Sequence, residues 1–359
     1  MAIYTFDKIA VNCTQKVKPQ ESDKEHYIGL EHIDPECLYI TRWGADAAPI
    51  GDKLVMKKGD VLFGKRRAYQ RKVGIAPFDG IFSAHGLVLR PKEDVICKEF
   101  FPFFISSDQF LDRAVQISVG GLSPTVNWGD LARQEFSLPS LEEQKILADK
   151  LWAAYRVKES YRQLLAATDD MVKAQFNEMF GNAKQDSINE FVDTIWGSSP
   201  ASEFYNDNGE GMPFYQGKTE FGDMYIGKPV TYCTVPVRTA KAHSILMSVR
   251  APVGDVNIAT EDCCIGRGLA SITPKAGKAS LMFIYFALKS KADEIARLGT
   301  GSTIKAINKD SYARIKLPVS LLADQEKFAA IATQAEATKA SLCQSIDAID
   351  RVIRSLINQ

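Results

Sequence analysis

Leu138-Pro139-Ser140-Leu141-Glu142-Glu143-Gln144-Lys145 stands near the middle of a chain of 359 residues. Leu317-Pro318-Val319-Ser320-Leu321-Leu322-Ala323-Asp324-Gln325-Glu326-Lys327 stands near its end, about 180 residues later. Each opens a run of about 40 residues that contains no proline. Upstream, Gly59-Asp60-Val61-Leu62-Phe63-Gly64-Lys65-Arg66 matches Ala242-His243-Ser244-Ile245-Leu246-Met247-Ser248-Val249-Arg250 at nearly the same distance. Short periods mark solenoids and propellers. A period of half the chain marks instead a duplicated domain followed each time by a connector.

The order of signals repeats as well as the words. In the first half, β-rich runs (53–56, 60–63 and 73–76) alternate with turns such as Phe78-Asp79-Gly80. A turn, a strand and a proline stop are read over Asp79 to Pro91, and a helix over Glu99 to Asp112 from the spacing of its phenylalanines. In the second half a strand is read at Ile245–Val249, another over Cys264 to Thr273 ending at Pro274, and a helix over Ser280 to Arg297. A small-residue loop follows in each half, Gly120-Gly121-Leu122-Ser123-Pro124-Thr125 and Gly299-Thr300-Gly301-Ser302-Thr303.

The proline-free runs read as long helices, each about 60 Å at 1.5 Å per residue. In the second, Phe328, Ile331, Ala335, Thr338, Leu342, Ile346, Ile349, Ile353 and Leu356 step by threes and fours. In the first, Leu147, Leu151, Ala154, Tyr161, Leu165, Val172 and Met179 do so less regularly. Such narrow seams suit two helices that pair with each other. The competing arrangement packs each helix on its own globular half. The fold expected is α+β: two similar domains, each a mixed sheet plus helices, with two long coiled-coil-like helices that pair with each other in an internal repeat. The boundaries read are 1–139, 140–181, 182–319 and 320–359.

Bulk properties narrow the function. Hydrophobic and charged fractions of 45% and 25% are ordinary for a globular chain. No apolar stretch reaches the length of a membrane span, and the N-terminus has no secretory pattern. Seven cysteines at irregular spacing form neither a disulfide framework nor a zinc site, so the cytoplasm is expected. Net charge is zero, which at first argues against nucleic acid. Its distribution reverses that argument. From Asp52 to Lys72 eight cations face two carboxylates, whereas residues 141–180 carry six basic and seven acidic side chains and 320–359 four and five. A neutral total thus contains a basic stripe of the kind that phosphates attract.

Catalytic patterns are missing. Gly211 to Thr219 resembles a P-loop but has five residues between its glycines and suits a strand better. Glu143-Gln144-Lys145 is a nuclease-like fragment, but at a helix start it reads as capping. Four histidines show no ligand spacing. No catalytic residue, metal or cofactor is therefore expected in this chain. What remains is binding chemistry. Lys65, Arg66, Arg67, Tyr69, Arg71 and Lys72 interleave one aromatic with five cations, and arginine forks suit guanine edges. A solvated strand and turn is the competing reading. In the second half the candidates are Arg250, Arg267 and Lys305, and the loops add Ser123, Thr125, Ser302 and Thr303. The loop glycines present backbone N–H groups to phosphate or else end the preceding helix.

With these words assembled, the chain resembles the specificity subunit of type I restriction–modification systems along essentially its whole length. The resemblance rests on Gly59–Phe63 with Val73-Gly74-Ile75-Ala76, on Pro213-Phe214-Tyr215-Gln216-Gly217, on Ile245 to Val256, and on the two Leu-Pro words. It implies two target-recognition domains, each reading one half of a bipartite double-stranded DNA sequence. It also implies that the two helices are antiparallel spacers related by a pseudo-two-fold, which fix the gap and dock two methyltransferase subunits carrying S-adenosylmethionine. Two restriction subunits with ATP can join. Arg66 and Arg250 align between the copies, whereas Lys65 and Arg67 have no counterpart. The divergence of the copies implies an asymmetric target. The alternative is a non-catalytic assembly scaffold, or a specificity homologue in another DNA-modification or phage-defence complex.

Overall fold

A computed structural model describes residues 1–300 and 305–358. It divides into two compact units, one of Met1–Arg162 with Gln344–Gln359 and one of Gln163–Cys343.

In the first unit an antiparallel sheet runs in the order Ala10–Cys13, Leu87–Pro91, Val61–Phe63, Val73–Ile75. The second unit repeats it as Val192–Trp196, Leu269–Pro274, Ile245–Ser248, Val256–Ile258. Val61–Phe63 is apolar throughout, and it and Ile245–Ser248 are buried at every position because both faces of these strands are covered. Successive side chains point to opposite faces. Val61 and Phe63 therefore enter one core with Phe6, Phe104 and Phe110, while Leu62 enters another with Ile28, Leu54 and Phe82. Ile245 and Met247 are likewise separated from Leu246. A second sheet in each unit contains one parallel pair, Tyr27–Ile28 with Gly80–Phe82 and Met212–Tyr215 with Cys263–Ile265. Met212–Tyr215 is thus a strand, as its proline and aromatics suggested, and not a phosphate loop.

Several boundaries differ from the sequence reading. The helix read over Glu99 to Asp112 is two helices, Phe101–Ser106 and Asp108–Gln116. Ser107 takes extended dihedrals between them, and its hydroxyl accepts from Phe110 N–H as an N-cap. Ser280–Arg297 is similarly interrupted at Lys291. The single strands read over Asp79–Pro91 and Cys264–Thr273 are each two strands joined by a tight turn.

The long helices are Leu141–Phe180 (the central helix) and Leu322–Ile357 (the C-terminal helix). Ser140 and Glu143 form a capping box: Ser140 N–H donates to the Glu143 carboxylate at 2.8 Å, and Glu143 N–H to Ser140 Oγ at 3.3 Å. Parts of both helices occur in each unit and run antiparallel there. In the first unit Leu151 and Tyr155 share a core with Ile353, with Leu147 and Ile349 at its edge. In the second, Val172, Phe176 and Phe180 pack with Phe328, Ala332 and Ala335, and Leu342 is also buried. Tyr161 and Leu165 are half-buried. The C-terminal seam needs two corrections: Ile331 is 37% exposed and Thr338 is exposed, and the buried positions beside them are Ala332 and Lys339. A small side chain and a paired ammonium fill seam positions where the eye looks for larger apolar groups.

Candidate nucleic-acid interface

In the first unit, strand Val61–Phe63 leaves the sheet into Gly64, Lys65, Arg66 and Arg67. The small-residue loop holds this exit by backbone bonds: Val126 N–H donates to Lys65 O at 3.0 Å and Arg67 N–H to Pro124 O at 2.7 Å. Arg66 bridges to Thr125, which in turn pairs with Val119. The second unit repeats this arrangement. Ile307 N–H donates to Val249 O at 2.9 Å and Ala251 N–H to Lys305 O at 2.8 Å. Arg250 bridges to Ala306, which pairs with Thr300. The alignment of Arg66 with Arg250 is therefore a spatial equivalence of backbone position. Residues at the end of the small-residue loop or just after it hold the arginine-bearing strand exit, 124–126 in the first unit and 305–307 in the second.

Side chains converge on this exit. Arg66 Nη2 and Arg67 Nε donate to Ser123 Oγ at 3.4 and 3.3 Å, and Arg66 Nη1 lies 3.5 Å from His85 Nε2. Burial, with neighbouring charge behind it, moves titrations here. Burial, then the charges of Arg66, Lys65 and Lys53, hold the His85 imidazolium below its ordinary range. Burial and the charge of Lys16 lower Lys65 in the same sense. Ser123 and Thr125 are half-buried, and the Thr125 hydroxyl donates to Ser123 O at 3.1 Å.

Not every candidate joins the cluster. Arg71 has left-handed dihedrals and forms ion pairs with Asp108 and, at 3.4 Å, Asp112. The Lys72 ammonium donates to Leu30 O at 2.6 Å. Both cations are engaged in holding their own unit together. Tyr69 lies on a short turn, 53% exposed. In the second unit Arg250 and Arg267 line one cleft of about 200 Å³ with Gln216, Lys218, Ser199 and Ser248. Lys218 is ion-paired to Asp255. Lys305 is exposed, while Ser302 and Thr303 lie outside the described residues. Sequence reasoning did not single out His85, Gln216 or Lys218, and it counted Lys53 in the basic stripe although that ammonium donates to Ile50 O and Gly51 O. The signal for His85 was its place before a glycine in the turn that corresponds to the one carrying Arg267.

The fold is thus a duplicated α+β architecture with a basic strand exit at the same place in each copy. The sequence model of the type I restriction modification DNA specificity domain matches twice, at residues 22–166 and 184–351. The chain belongs to that family. A protein of Methanocaldococcus jannaschii described as the specificity subunit of type I restriction enzyme MjaX is 33% identical over 298 residues, covering 76% of this chain and 70% of that one. Two solved structures share the fold. One, from work on complex assembly and conformational transition of the type I R-M system, has a TM-score of 0.61 at 24% identity, over 99% of this chain and 96% of the other. The other, the S subunit of a type I restriction–modification system from M. genitalium, has a TM-score of 0.59 at 14% identity, over 99% and 94%. Among the described residues no helix is long and apolar enough to cross a membrane.

Proposed function

We propose that this chain is the DNA-reading subunit of a type I restriction–modification assembly. Each unit reads one half of an asymmetric bipartite duplex sequence through the strand exit that carries Arg66 or Arg250. The observation that carries this reading is the repeated hold on those two exits by residues 124–126 and 305–307, amid side chains that otherwise differ between the copies. A shared frame with unlike surroundings suits a pair of half-sites with unlike sequences.

The four-part division at residues 139, 181 and 319 belongs to the same proposal. The central and C-terminal helices set the gap between half-sites and dock two methyltransferase subunits, and two restriction subunits can join them. S-adenosylmethionine and ATP chemistry then belongs to those partners, and this chain contributes recognition alone. Arg66, Arg67 and Ser123 in one unit, with Arg250 and Arg267 in the other, supply the contacts. Lys65, Tyr69, Thr125 and Lys305 contribute at the margin, and Ser302 and Thr303 stay candidates on sequence alone. Arg71 and Lys72 are left out because their cations are already engaged.

The test is a gel shift of the chain with and without its methyltransferase partner, on random duplex and on duplex selected from a random pool. Sequence-dependent binding supports the reading. Equal binding to both duplexes in the presence of partner removes it and leaves an assembly scaffold.

A further inference from the structure

The two strand exits place an arginine at the same backbone position, so Arg66 and Arg250 cannot be what makes one half-site differ from the other. The difference must come from whatever stands beside them. A neighbour present in both units is the turn between the parallel-paired strand and the following strand. In the first unit it spans residues 83–86, between Gly80–Phe82 and Leu87–Pro91. In the second it spans residues 266–268, between Cys263–Ile265 and Leu269–Pro274.

Both turns are closed at nearly every position. A Cβ at Gly86 would stand 2.1 Å from the Phe82 ring and 2.9 Å from Phe63 O. One at Gly268 would stand 2.3 Å from Gln216 O, and one at Gly266 only 3.0 Å from Gln216 Cα. Ser83 is buried and Ala84 half-buried. Each turn is left with one polar side chain to present outward, His85 in the first unit and Arg267 in the second, and both are exposed. Register through the paired strands sets Ala84 against Arg267 and His85 against Gly268, so the two exposed side chains leave corresponding turns one position apart. His85 lies 3.5 Å from the Arg66 guanidinium, and Arg267 shares a cleft with Arg250.

We infer that His85 and Arg267 are the specificity-determining residues of the two units: each contacts a base edge of its half-site, while Arg66 and Arg250 serve as the common anchors. The inference rests on the proposal that this chain reads DNA. The chemistry differs in kind. The Arg267 fork matches the paired acceptors of guanine in the major groove. An imidazole offers one donor and one acceptor and selects a different edge.

The experiment uses the full chain in its assembly with the methyltransferase subunits and a pool of randomised duplexes, with bound sequences read out. Wild type, Arg267→Gln, Arg267→Lys and His85→Gln are compared, with thermal unfolding as the control for folding. Wild type is expected to select a two-part sequence. Both Arg267 variants should change the preferred base at one or two adjacent positions of one half only. Their affinity for the original duplex should fall on the order of tenfold or more. His85→Gln should do the same in the other half. Lysine keeps the charge but not the fork, so its failure to restore the base preference separates base reading from phosphate attraction. Variants that select the wild-type sequence, at equal or uniformly lower affinity, overturn the inference. A wild type that selects no sequence instead sinks the DNA-reading proposal on which it stands.

Discussion

Lys339 in the C-terminal helix places its ammonium nitrogen 2.8 Å from the Asp169 carboxylate in the central helix, inside the second unit. Lys158 and Asp350 make the corresponding ion pair inside the first. Each of the four residues stands 181 positions from its counterpart, so the duplication preserves the pair as well as the words around it. The Lys158 side chain is only 2% exposed. Removing one member of a buried pair leaves an uncompensated charge, which typically costs about 3–5 kcal/mol. Lys158→Met should therefore lower unfolding stability by about that amount, and Lys158→Met with Asp350→Leu should recover most of it. Denaturant titration of the single and double variants measures both. A double variant no more stable than the single would show that the pair is not what the site requires.

Lys339 is engaged more widely and less deeply. Its ammonium also bonds Asp223 at 2.7 Å and Glu336 at 3.2 Å, and these partners are partly exposed. Burial works against its charge, but the bonds to Asp169 and Asp223 outweigh that and hold its pKa above the ordinary lysine value. The bond from Lys339 lowers Asp223 below the usual aspartate range despite some burial. A carboxylate depressed in the folded state contributes stability above its unfolded pKa, near 4, and loses it as pH falls through the folded value. Asp223→Asn should therefore destabilise the protein at neutral pH and make progressively less difference below about pH 4. Urea midpoints of both proteins across the acid limb test this. A difference that stays constant into strong acid contradicts the assignment.

Gln144 and Gln325 are fully buried at the start of the two long helices. Gln144 accepts from Cys97 N–H at 2.8 Å and donates to Val95 O at 3.2 Å and Pro139 O at 2.9 Å. Gln325 accepts from Ser280 N–H at 2.9 Å and donates to Lys278 O at 3.2 Å and Ser320 O at 3.1 Å. Each amide ties its helix to the preceding domain segment. Gln144→Leu leaves a buried N–H and two carbonyls without that partner, at about 1–3 kcal/mol for each group that water cannot reach. A combined loss of about 2–4 kcal/mol is expected, with Gln325→Leu similar. A loss under about 1 kcal/mol in both would mean that water replaces the amide.

These residues also mark where the sequence was readable. The Leu-Pro-…-Gln word announced the duplication because the same three-bond fixture is needed twice. Its mechanism was hidden, since glutamine gives no periodic signal and its partners lie about 45 residues upstream. Strands buried on both faces were readable as apolar runs, but the turns inside Asp79–Pro91 and Cys264–Thr273 were not, because flanking residues stay apolar through them. Ile331 was taken for the seam in place of Ala332 for the same reason: size was read as burial. At the candidate interface, Arg66, Arg67, Arg250 and Arg267 followed from charge and alignment. His85 did not, because a lone histidine acquires meaning only from the guanidinium beside it. Arg71 and Lys72 looked like part of the stripe, but their acceptors, Asp108 and the Leu30 carbonyl, come from segments far along the chain.

The two anchors can be tested without knowing which bases are read. Arg66→Ala and Arg250→Ala should each weaken binding to the selected duplex by about 1–3 kcal/mol. Both side chains are exposed, so melting should hardly move. Arg71→Ala should behave in the opposite way. It breaks the contact to Asp108 and Asp112, so it should lower stability modestly while leaving DNA affinity almost unchanged. DNA titration and thermal unfolding of all three variants separate the roles. If Arg71→Ala loses affinity as Arg66→Ala does, the interface extends along the whole basic run.

Exchange of a whole unit tests the division of labour most directly. Residues 1–138 contain Arg66, Arg67, His85 and Ser123, and none of the second unit's candidates. The segment ends at strand Glu135–Leu138, which pairs with Ala2–Thr5, so a graft cut after Leu138 keeps that ladder intact. Gln144 then meets a new partner loop, and the graft should come from a relative that keeps an acceptor–donor pair at Val95 and Cys97. Such a chimaera, assembled with its methyltransferase, should acquire the donor's first half-site, keep its own second half-site and retain the original gap, because both long helices are unchanged. Methylome sequencing of cells carrying the chimaera reads all three at once. A changed second half would mean that recognition is not divided between the units, and a changed gap would move the spacing determinant out of the helices and into residues 1–138.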